Sequence, residues 1–555
     1  MYMYKLYKIH DPATSNSSLW HYLYLVVSSF ATYSTFCFKM AARLSTTELL
    51  SLDSAGLQKK FEAGLLTSVE LVQACLAQIS KHEHWGAKLN AMISIVPDRI
   101  LLERSAQLDR ERAAGLVRSP FHGIPILIKD AIATRPSLEL PTTLGSLALK
   151  DSIMPKNASI VDKLEEMGAI VLGKTNLNQF CNFKADANSN GWSAIGGQTQ
   201  SAYIARKPDE SGLGQSDPCG SSTGSAVGVS AGYAPLALGT ESIGSIVMPG
   251  SRASLYALKP ALNTVNMDGV FKSSVELDVV GGLARSTADL ALLSEAALTE
   301  EKRKLLPEEG YQKYLTKTFD SLRIGFLDPT KWSLHPSIVQ LDEATLKQMN
   351  DIYFAAIERV REHAVKASVT YPVDIPPATD LWYKGRNPID VIISYEGKQA
   401  LEAWLSEAKV PGLNTIEDVI KFNLDHRQGE LPTDHPDQNQ LLKASRDPPT
   451  RKVYEAVKKR MKTVSKENGI DKLFHEQNLN ILAFPLDSLM VFISAASGYP
   501  IATMPAGVIQ ADGRPYGLGI MAQTGREDLM FQFMSAFEAH SPPRAVPSRV
   551  QNDHA

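Results

Sequence analysis

The sequence is poor in cysteine. Its 555 residues include four, at Cys37, Cys75, Cys181 and Cys219. None belongs to a C-x-x-C pair, so their spacing gives neither a zinc signature nor a disulfide framework, and a reducing compartment fits best. The histidines supply no metal motif either, because His475-Glu476 lacks the second histidine of H-E-x-x-H. We therefore predict no metal and no cofactor.

A strong charge of one sign is also missing. The chain has 57 Lys and Arg against 60 Asp and Glu, a net charge of -3. No dense basic stripe is interleaved with aromatics, so we predict no nucleic-acid partner. Hydrophobic residues make up 44% of the chain and charged residues 21%, as in globular proteins with a large core.

Repeats and low-complexity tracts are absent as well. We predict one large domain over residues 40–545, with a variable, polar and proline-dotted insertion at about 370–450. Residues 546–555 are expected to form a tail.

The N-terminal segment allows two interpretations. Residues 18–38 contain no Asp, Glu, Lys or Arg and are flanked by basic residues, which resembles a signal-anchor. However, the stretch is rich in Ser, Thr and Tyr and contains His21, which weakens its transfer into a bilayer. Residues 1–39 are therefore either an extension outside the fold, including a gene-model artefact with translation starting at Met40, or a membrane anchor. The first predicts a cytoplasmic protein, the second weak membrane association.

Hydrophobic periodicity predicts helices alternating with strands. A capping box, Thr67 to Glu70, opens one amphipathic helix, and residues 98–114 form another. The apolar run Ile124–Ile128 is typical of a buried strand. Residues 160–167 have helical spacing and precede the apolar run Ala169–Leu172, which indicates a βαβ unit and an α/β fold.

Three segments carry candidate chemistry. Lys129 ends the apolar strand GIPILIK, the small residues Gly220–Ser225 allow a sharp turn that opens a helix, and Leu238–Ser245 is a strand that runs into a hydroxyl-bearing loop. Each alone has an ordinary structural explanation, as a solvated strand end or a turn. Together they offer a nucleophilic hydroxyl, a second hydroxyl, an amine and a set of backbone donors.

These segments resemble the amidase signature family. GIPILIKD is similar to its lysine-bearing strand, DPCGSSTGSAVGVSAG to its Gly/Ser-rich signature, and LGTESIGSIVMPGSRASLYALKP to its nucleophile segment. The resemblance runs from about Ser45 to about His540 and is densest over residues 121–260. It implies an α/β fold with a central twisted mixed β-sheet flanked by helices on both faces. It also implies hydrolysis of a carboxamide C–N bond through an acyl-enzyme.

The resemblance assigns the catalytic roles. Lys129 matches the family's lysine base, Ser221 the relay serine held in a cis peptide, and Ser245 the nucleophile. Ser222 matches a supporting neighbour of the lysine, and Asp130 is structural. To act as a base at neutral pH, the lysine must lose about 3 pKa units, about 4 kcal/mol, and burial after an apolar strand favours this.

The oxyanion hole is expected from the backbone N–H groups of Ser242, Ile243, Gly244 and Ser245. Ile243 stands where the family usually has Gly or Asp, and a β-branched residue resists a positive φ. If the position needs a positive φ, the oxyanion hole is compromised; if it does not, Ile243 lines the acyl pocket. Val247 also replaces a common Arg, and Cys219 a common Gly.

Three alternative functions remain open at this point. The run Gly220–Gly224 fits G-x-S-x-G, which would make Ser222 the nucleophile of an α/β-hydrolase, although Pro218 argues against a preceding central strand. A glutamine-dependent amidotransferase subunit would use the same triad and need partner subunits. A catalytically impaired binding relative is the third. The expected partner is a small-molecule amide substrate.

Overall fold

A computed structural model describes residues 44–185, 190–207, 214–332, 334 and 341–551. The predictions for residues 1–39 lie outside these ranges. Among the helices that the structure describes, none is both long and apolar enough to cross a bilayer.

The strands are short. They are β1 (Met92–Ile95), β2 (Pro125–Lys129), β3 (Ile170–Thr175), β4 (Trp192–Ser193), β5 (Gly197–Gln198), β6 (Leu236–Glu241), β7 (Tyr256–Lys259), β8 (Val279–Ala284), β9 (Arg323–Leu327), β10 (Ser368–Val373), β11 (Ile481–Pro485), β12 (Ile501–Val508) and β13 (Pro515–Met521). Eleven of these described strands form one sheet in the order β1-β3-β2-β6-β8-β7-β12-β13-β11-β9-β10, and β4 pairs with β5.

The helices occupy most of the remaining chain. They are α1 (Thr46–Ser51), α2 (Ser54–Glu62), α3 (Ser68–His82), α4 (Asp98–Ala113), α5 (Ser159–Glu166), α6 (Thr223–Ser230), α7 (Val247–Arg252), α8 (Thr287–Ala297), α9 (Glu300–Arg303), α10 (Glu343–His363), α11 (Pro388–Ala408), α12 (Ile416–Asp425), α13 (Arg427–Glu430), α14 (Asn439–Arg446), α15 (Arg451–Lys462), α16 (Asp471–Glu476), α17 (Met490–Ser497) and α18 (Glu527–Ala539). A π-helical stretch, Thr463–Ile470, joins α15 to α16.

Shorter 3-10 turns complete the secondary structure. They lie at Pro136–Leu138, Leu147–Leu149, Gln179–Asn182, Gly310–Tyr314, Ala378–Leu381 and Ser548–Val550.

The large sheet is mixed and covered on both faces. β3, β2 and β6 run parallel, as do β11, β9 and β10, whereas the pairs from β6 through β13 to β11 are antiparallel. Every residue of β2, β3, β6, β8 and β13 is buried. Because neighbouring residues in a strand point to opposite faces, helices must cover both. The predicted α/β class and helix-flanked mixed sheet are confirmed.

Local sequence signals account for the elements near the site. The capping box of Thr67 and Glu70 forms and opens α3, and a second one at Ser45 opens α1. The segment β2–α5–β3 is the predicted βαβ unit, with Lys129 opposite Thr175.

Parallel pairing also brings the chemical segments together. β6 lies on the other side of β2 from β3, with Ile128 opposite Leu238. Since parallel strands end at the same edge of a sheet, Lys129 and the loop after Glu241 meet there.

The C-terminal residues differ from expectation. Residues 546–551, predicted as part of a tail, pack against the core. Val550 is fully buried, and its carbonyl oxygen accepts a hydrogen bond from Gln78 Nε2 at 3.2 Å. Arg549 donates to the carbonyls of Ser201, Ile204 and Ala87. Two valines in a polar stretch, Val546 and Val550, were too weak a signal to reveal this contact.

The predicted insertion at about 370–450 contains β10 and the helices α11 to α14. Trp404 and Leu405 of α11 pack with Phe180 and Phe183 of the central region in one apolar cluster. The segment SYEGKQALEAWL lies within α11. Whether this stretch is a variable insertion stays a prediction.

Candidate active site

Lys129 is the last residue of β2, and its side chain is completely buried. Its Nζ donates to Ser221 Oγ at 2.7 Å and to Ser222 Oγ at 3.0 Å. It also bonds to Thr240, at 2.8 Å to Oγ1 and 3.1 Å to the carbonyl oxygen. All four acceptors are uncharged, and no carboxylate of the described residues bonds to this amine.

This environment changes the proton affinity of the amine. Burial lowers the pKa of Lys129 from its ordinary value of 10.5, because desolvation disfavours the ammonium. The negative charges of Cys181, Asp278 and Glu241, when ionised, oppose the shift without reversing it. A deprotonated lysine has the lone pair that a general base needs.

The turn before α6 presents the two serines. Cys219 and Gly220 have φ of 66° and 62°, a left-handed pair that reverses the chain before Ser221. A Cβ at position 220 would come within 2.5 Å of Pro249 Cδ and 3.1 Å of the Ser245 carbonyl oxygen, so glycine is required there. Position 219 also favours glycine, which explains why Cys219 is an unusual residue at this point of the turn.

The cis peptide expected at Ser221 is not present. Among the described residues, the cis peptide bond is the one between Tyr371 and Pro372. Both peptide bonds of Ser221 are therefore trans, and Lys129 reaches its hydroxyl in this geometry.

Ser245 follows β6 in the loop that leads to α7. Its carbonyl oxygen accepts the Ser222 N–H at 3.0 Å, which fixes residues 242–246, the predicted nucleophile loop, against the turn at residues 219–222. The side chain is 4% exposed. Among the described residues, no group bonds to Ser245 Oγ. The Lys129–Ser221 contact is thus formed, whereas no hydrogen bond joins Ser221 to Ser245.

The Glu241 carboxylate stabilises the predicted nucleophile loop through hydrogen bonds. Its carboxylate accepts the N–H groups of Gly244 at 2.9 Å, Ile246 at 2.6 Å and Val247 at 3.0 Å. Burial nevertheless raises its pKa, because the desolvation of the charged form outweighs these bonds. The expectation that four N–H groups face the oxyanion therefore needs correction, since the Gly244 N–H is already bonded.

The remaining predicted donors are available. Among the described residues, the backbone N–H groups of Ser242, Ile243 and Ser245 have no acceptor. The Ser242 side chain is held by Asp278 Oδ1. The positive φ in this loop, 69°, belongs to Gly244 and not to Ile243. The β-branched side chain of Ile243 is therefore compatible with the loop.

A cavity of about 390 Å³ lies beside the nucleophile loop. Its apolar lining comprises Ile243, Met248, Leu334, Ile389, Ile393, Val491 and Phe492. Its polar lining comprises Asn182, Asn190, Asn387, Asp390 and Gln440, with Ala185 between them. Of the two outcomes foreseen for Ile243, the structure has the second, in which the side chain lines a pocket. Val247 is fully buried in a neighbouring apolar cluster.

A strained segment borders this region. Phe180, Cys181 and Asn182 have consecutive positive φ values of 52°, 56° and 77°. Left-handed backbone costs non-glycine residues roughly 1–2 kcal/mol each, so surrounding contacts must hold it. Cys181 Sγ lies 3.8 Å from Thr240 Oγ1, which links the segment to the lysine site.

The other candidate residues are structural. Ser222, the nucleophile in the α/β-hydrolase alternative, is fully buried and its Oγ donates to the Thr240 carbonyl at 3.0 Å, so it cannot meet a substrate. The Asp130 carboxylate accepts the N–H groups of Thr143 and Gly145 and makes no hydrogen bond to Lys129 Nζ. Within the described residues, no three His, Cys, Asp or Glu side chains cluster as metal ligands would.

Sequence reasoning missed four residues of this region. Thr240 and Glu241 lie in the quoted nucleophile segment, and their position at the end of β6 could have indicated contact with the lysine and the loop. Asn182 and Asn387 had no signal, because their meeting depends on how α11 packs on the central region.

A buried amine beside paired serines, at one edge of a mixed α/β sheet, is typical of enzymes with an activated hydroxyl nucleophile. The family model for amidases matches residues 70–377, more than half of the chain. The chain therefore belongs to the amidase family and is an amide hydrolase.

Individual proteins agree with this membership. A probable amidase of Arabidopsis thaliana is 29% identical over 520 residues, which cover 92% of this chain and 94% of the plant protein. The crystal structure of a peptide amidase from Stenotrophomonas maltophilia matches with a TM-score of 0.77 and 31% identity, covering 89% of this chain and 98% of that one. A glutamyl-tRNA(Gln) amidotransferase subunit of Chloroflexus aggregans is 32% identical over 60% of this chain and 64% of its own length.

Proposed function

We propose that this enzyme hydrolyses carboxamides through an acyl-enzyme, with Ser245 as nucleophile, Ser221 as proton relay and Lys129 as base. The observation that carries the proposal is the 2.7 Å contact between Lys129 Nζ and Ser221 Oγ in a site where the lysine is fully buried. Burial lowers the pKa of that lysine, which favours the neutral form that the role requires.

The first half-reaction forms the acyl-enzyme. Ser245 Oγ attacks the amide carbonyl while its proton passes to Ser221 Oγ, whose own proton passes to Lys129 Nζ. A hydroxyl is donor and acceptor at once, so one serine can connect two groups that do not touch. The tetrahedral intermediate then collapses, and the amine leaves with a proton returned along the same path. Water repeats the sequence in reverse and releases the carboxylic acid.

The relay needs one adjustment at Ser245. Its Oγ has no hydrogen-bond partner among the described residues, so rotation about χ1 can direct it toward Ser221 when substrate arrives. Catalytic hydrogen bonds are often formed only in the substrate complex. The backbone bond from the Ser222 N–H to the Ser245 carbonyl, at 3.0 Å, holds the two loops together.

The developing oxyanion would be stabilised by the N–H groups of Ser242, Ile243 and Ser245. Each such donor typically contributes about 3 kcal/mol to lowering the barrier. Glu241 takes the Gly244 N–H and so holds the loop in a shape that leaves the neighbouring N–H groups unbonded. Glu241 is in this proposal a positioning residue.

The comparisons support a free-standing hydrolase over an amidotransferase subunit. The plant amidase matches 92% of this chain, whereas the amidotransferase match covers 60%. The likeness to a peptide amidase supports a peptide-like amide as substrate. The cavity beside Ile243 supports an acyl group with an apolar side chain.

Active-site titration tests this proposal. A fluorophosphonate should label the wild-type protein once, at Ser245, and ammonia release from primary amides should stop in Ser245→Ala. Ser230→Ala is the matched control, because Ser230 is also buried and bonds only within its own helix, to the Val227 carbonyl at 3.0 Å. Amide turnover that persists in Ser245→Ala, or labelling at another serine, would overturn the assignment.

A further inference from the structure

The cavity beside the nucleophile loop contains an asparagine whose orientation is fixed. Asn387 is the N-cap of α11, and its Oδ1 accepts the Ile389 N–H at 3.0 Å. A backbone N–H can only donate, so the amide oxygen faces the helix and the NH₂ group faces away from it. Among the described residues, this NH₂ group has no acceptor.

The orientation of a second cavity asparagine, Asn182, follows from its hydrogen bond with Asn178. Asn178 Oδ1 accepts the Gly191 N–H, so its Nδ2 must be the donor to Asn182 Oδ1 at 2.5 Å and to Asn190 Oδ1 at 3.0 Å. The oxygen of Asn182 is therefore engaged, and its NH₂ group has no acceptor among the described residues. The positions of the amide oxygen and nitrogen are therefore fixed by hydrogen bonds from backbone N–H groups and are not an arbitrary assignment.

Asn182 is also held in place. It ends the run of left-handed residues 180–182. Two residues further along the chain, Lys184 forms an ion pair with Glu430 in which both side chains are fully buried. A donor fixed before the ligand arrives loses little conformational entropy on binding.

The remaining polar groups of the cavity are used within the protein. Asn190 Nδ2 reaches Asp217 Oδ2 at 3.4 Å, and Asp390 and Gln440 each have a partner. The cavity thus combines an apolar lining with two oriented NH₂ donors. Its complement is an apolar group that carries hydrogen-bond acceptors, and a carbonyl oxygen is the acceptor of an amide substrate.

We propose that Asn182 and Asn387 bind carbonyl oxygens of the substrate beyond the scissile amide, so that the enzyme selects amides of N-acylated apolar amino acids over simple alkyl or aryl amides. This inference rests on the proposed function of the site. It assigns the two asparagines to substrate selection, and neither takes part in the proton transfers.

Matched substrates isolate the effect. N-acetylphenylalaninamide and 3-phenylpropionamide share the scissile primary amide and the phenyl group, and they differ in the acetamido group that supplies the second carbonyl. We expect the wild-type enzyme to have the higher kcat/KM for the first. The variants Asn182→Asp and Asn387→Asp keep the bonded oxygen and lose the NH₂ donor. In each, the ratio of the two kcat/KM values should fall about tenfold, the loss expected for one hydrogen bond.

Controls separate this inference from folding and from the proposed mechanism. Asn266→Asp is the matched control, since Asn266 Oδ1 also accepts a backbone N–H, from Asp268 at 2.9 Å, and Asn266 is not part of the cavity lining. Its ratio should equal that of the wild type. Asn182→Ala, at an exposed position, repeats the test without an added charge.

The outcomes are distinct. A wild-type enzyme that prefers 3-phenylpropionamide, or a ratio unchanged in either aspartate variant, would overturn the selection by asparagine. Persisting turnover of both substrates in Ser245→Ala would instead overturn the proposed function.

Discussion

Lys129 and Lys184 are both fully buried, and burial lowers the pKa of each, but their partners differ in charge. Lys129 bonds to three hydroxyls and a carbonyl. Lys184 pairs with Glu430 Oε2 at 3.2 Å, donates to Gln179 Oε1 at 2.8 Å and lies 4.9 Å from the ring of Trp192.

This difference bears on which of the two lysines can act as a base. Burial lowers the pKa of Lys184, and the nearby carboxylate of Glu430 opposes this effect. The partners of Lys129 are uncharged oxygens, which can hydrogen-bond to a neutral amine as well as to an ammonium. A buried lysine without a carboxylate partner is therefore the better candidate for a base.

The largest expected effect is on catalysis at Lys129. Methionine is similar in length to the apolar stem of lysine, so Lys129→Met fills the same space but removes the base. The kcat/KM for a primary amide should therefore fall about 10³-fold. The melting temperature should not fall, because no buried counter-charge is left behind and the stability cost of the buried amine is removed. Steady-state kinetics and thermal unfolding check the two parts. Activity within about tenfold of wild type would remove Lys129 from the mechanism.

Lys184→Met should lower the stability of the protein, in contrast to Lys129→Met, which should lower its activity. Glu430 would remain buried without its partner, and the free energy of unfolding should fall by about 3–5 kcal/mol. Urea unfolding measures the loss. The double variant Lys184→Met/Glu430→Gln should recover part of it, because the unpaired charge is gone. A single variant as stable as wild type would contradict the structural role of the pair.

The pH dependence of stability should also differ at Lys129. Its folded-state pKa lies below the value of the unfolded chain, so between the two the unfolded chain binds more protons and stability rises with pH. The stability cost of the buried amine, relative to Lys129→Met, should therefore shrink as pH rises toward 10.5. Unfolding free energies of both proteins at several pH values measure this. A difference that grows with pH would contradict the lowered pKa.

The smallest effect is expected at Thr240. Thr240→Val removes the hydroxyl that lies 2.8 Å from Lys129 Nζ and keeps the carbonyl contact. Losing one neutral hydrogen bond should lower kcat/KM roughly tenfold or less. Thr264→Val is the control, because Thr264 is buried and its hydroxyl bonds only to the Ala261 carbonyl. An effect as large as that of Lys129→Met would assign Thr240 a role in proton transfer.

Much of the fold and part of the site were predictable from sequence because the signals are local. A capping box and an apolar face define α3, and an apolar run ending in Lys129 defines β2. Parallel pairing of β2 with β6 then explains why Lys129 meets the nucleophile segment.

The rest depends on contacts that local patterns do not encode. Glu241 turns back onto its own loop and accepts the Gly244 N–H, which removes one of the four predicted oxyanion donors. The burial of Val550 follows from tertiary packing. Asn182 and Asn387 face the same cavity only because α11 covers the segment 180–183.

The pH dependence of Ser245 acylation tests the central claim most directly. The rate constant of fluorophosphonate labelling, followed by intact-protein mass spectrometry, should rise with pH along a single titration whose midpoint lies below 10.5, the ordinary lysine value. In Lys129→Met that titration should disappear and the rate should be low at every pH. The same titration in wild type and Lys129→Met would contradict a neutral Lys129 that draws the proton from Ser245.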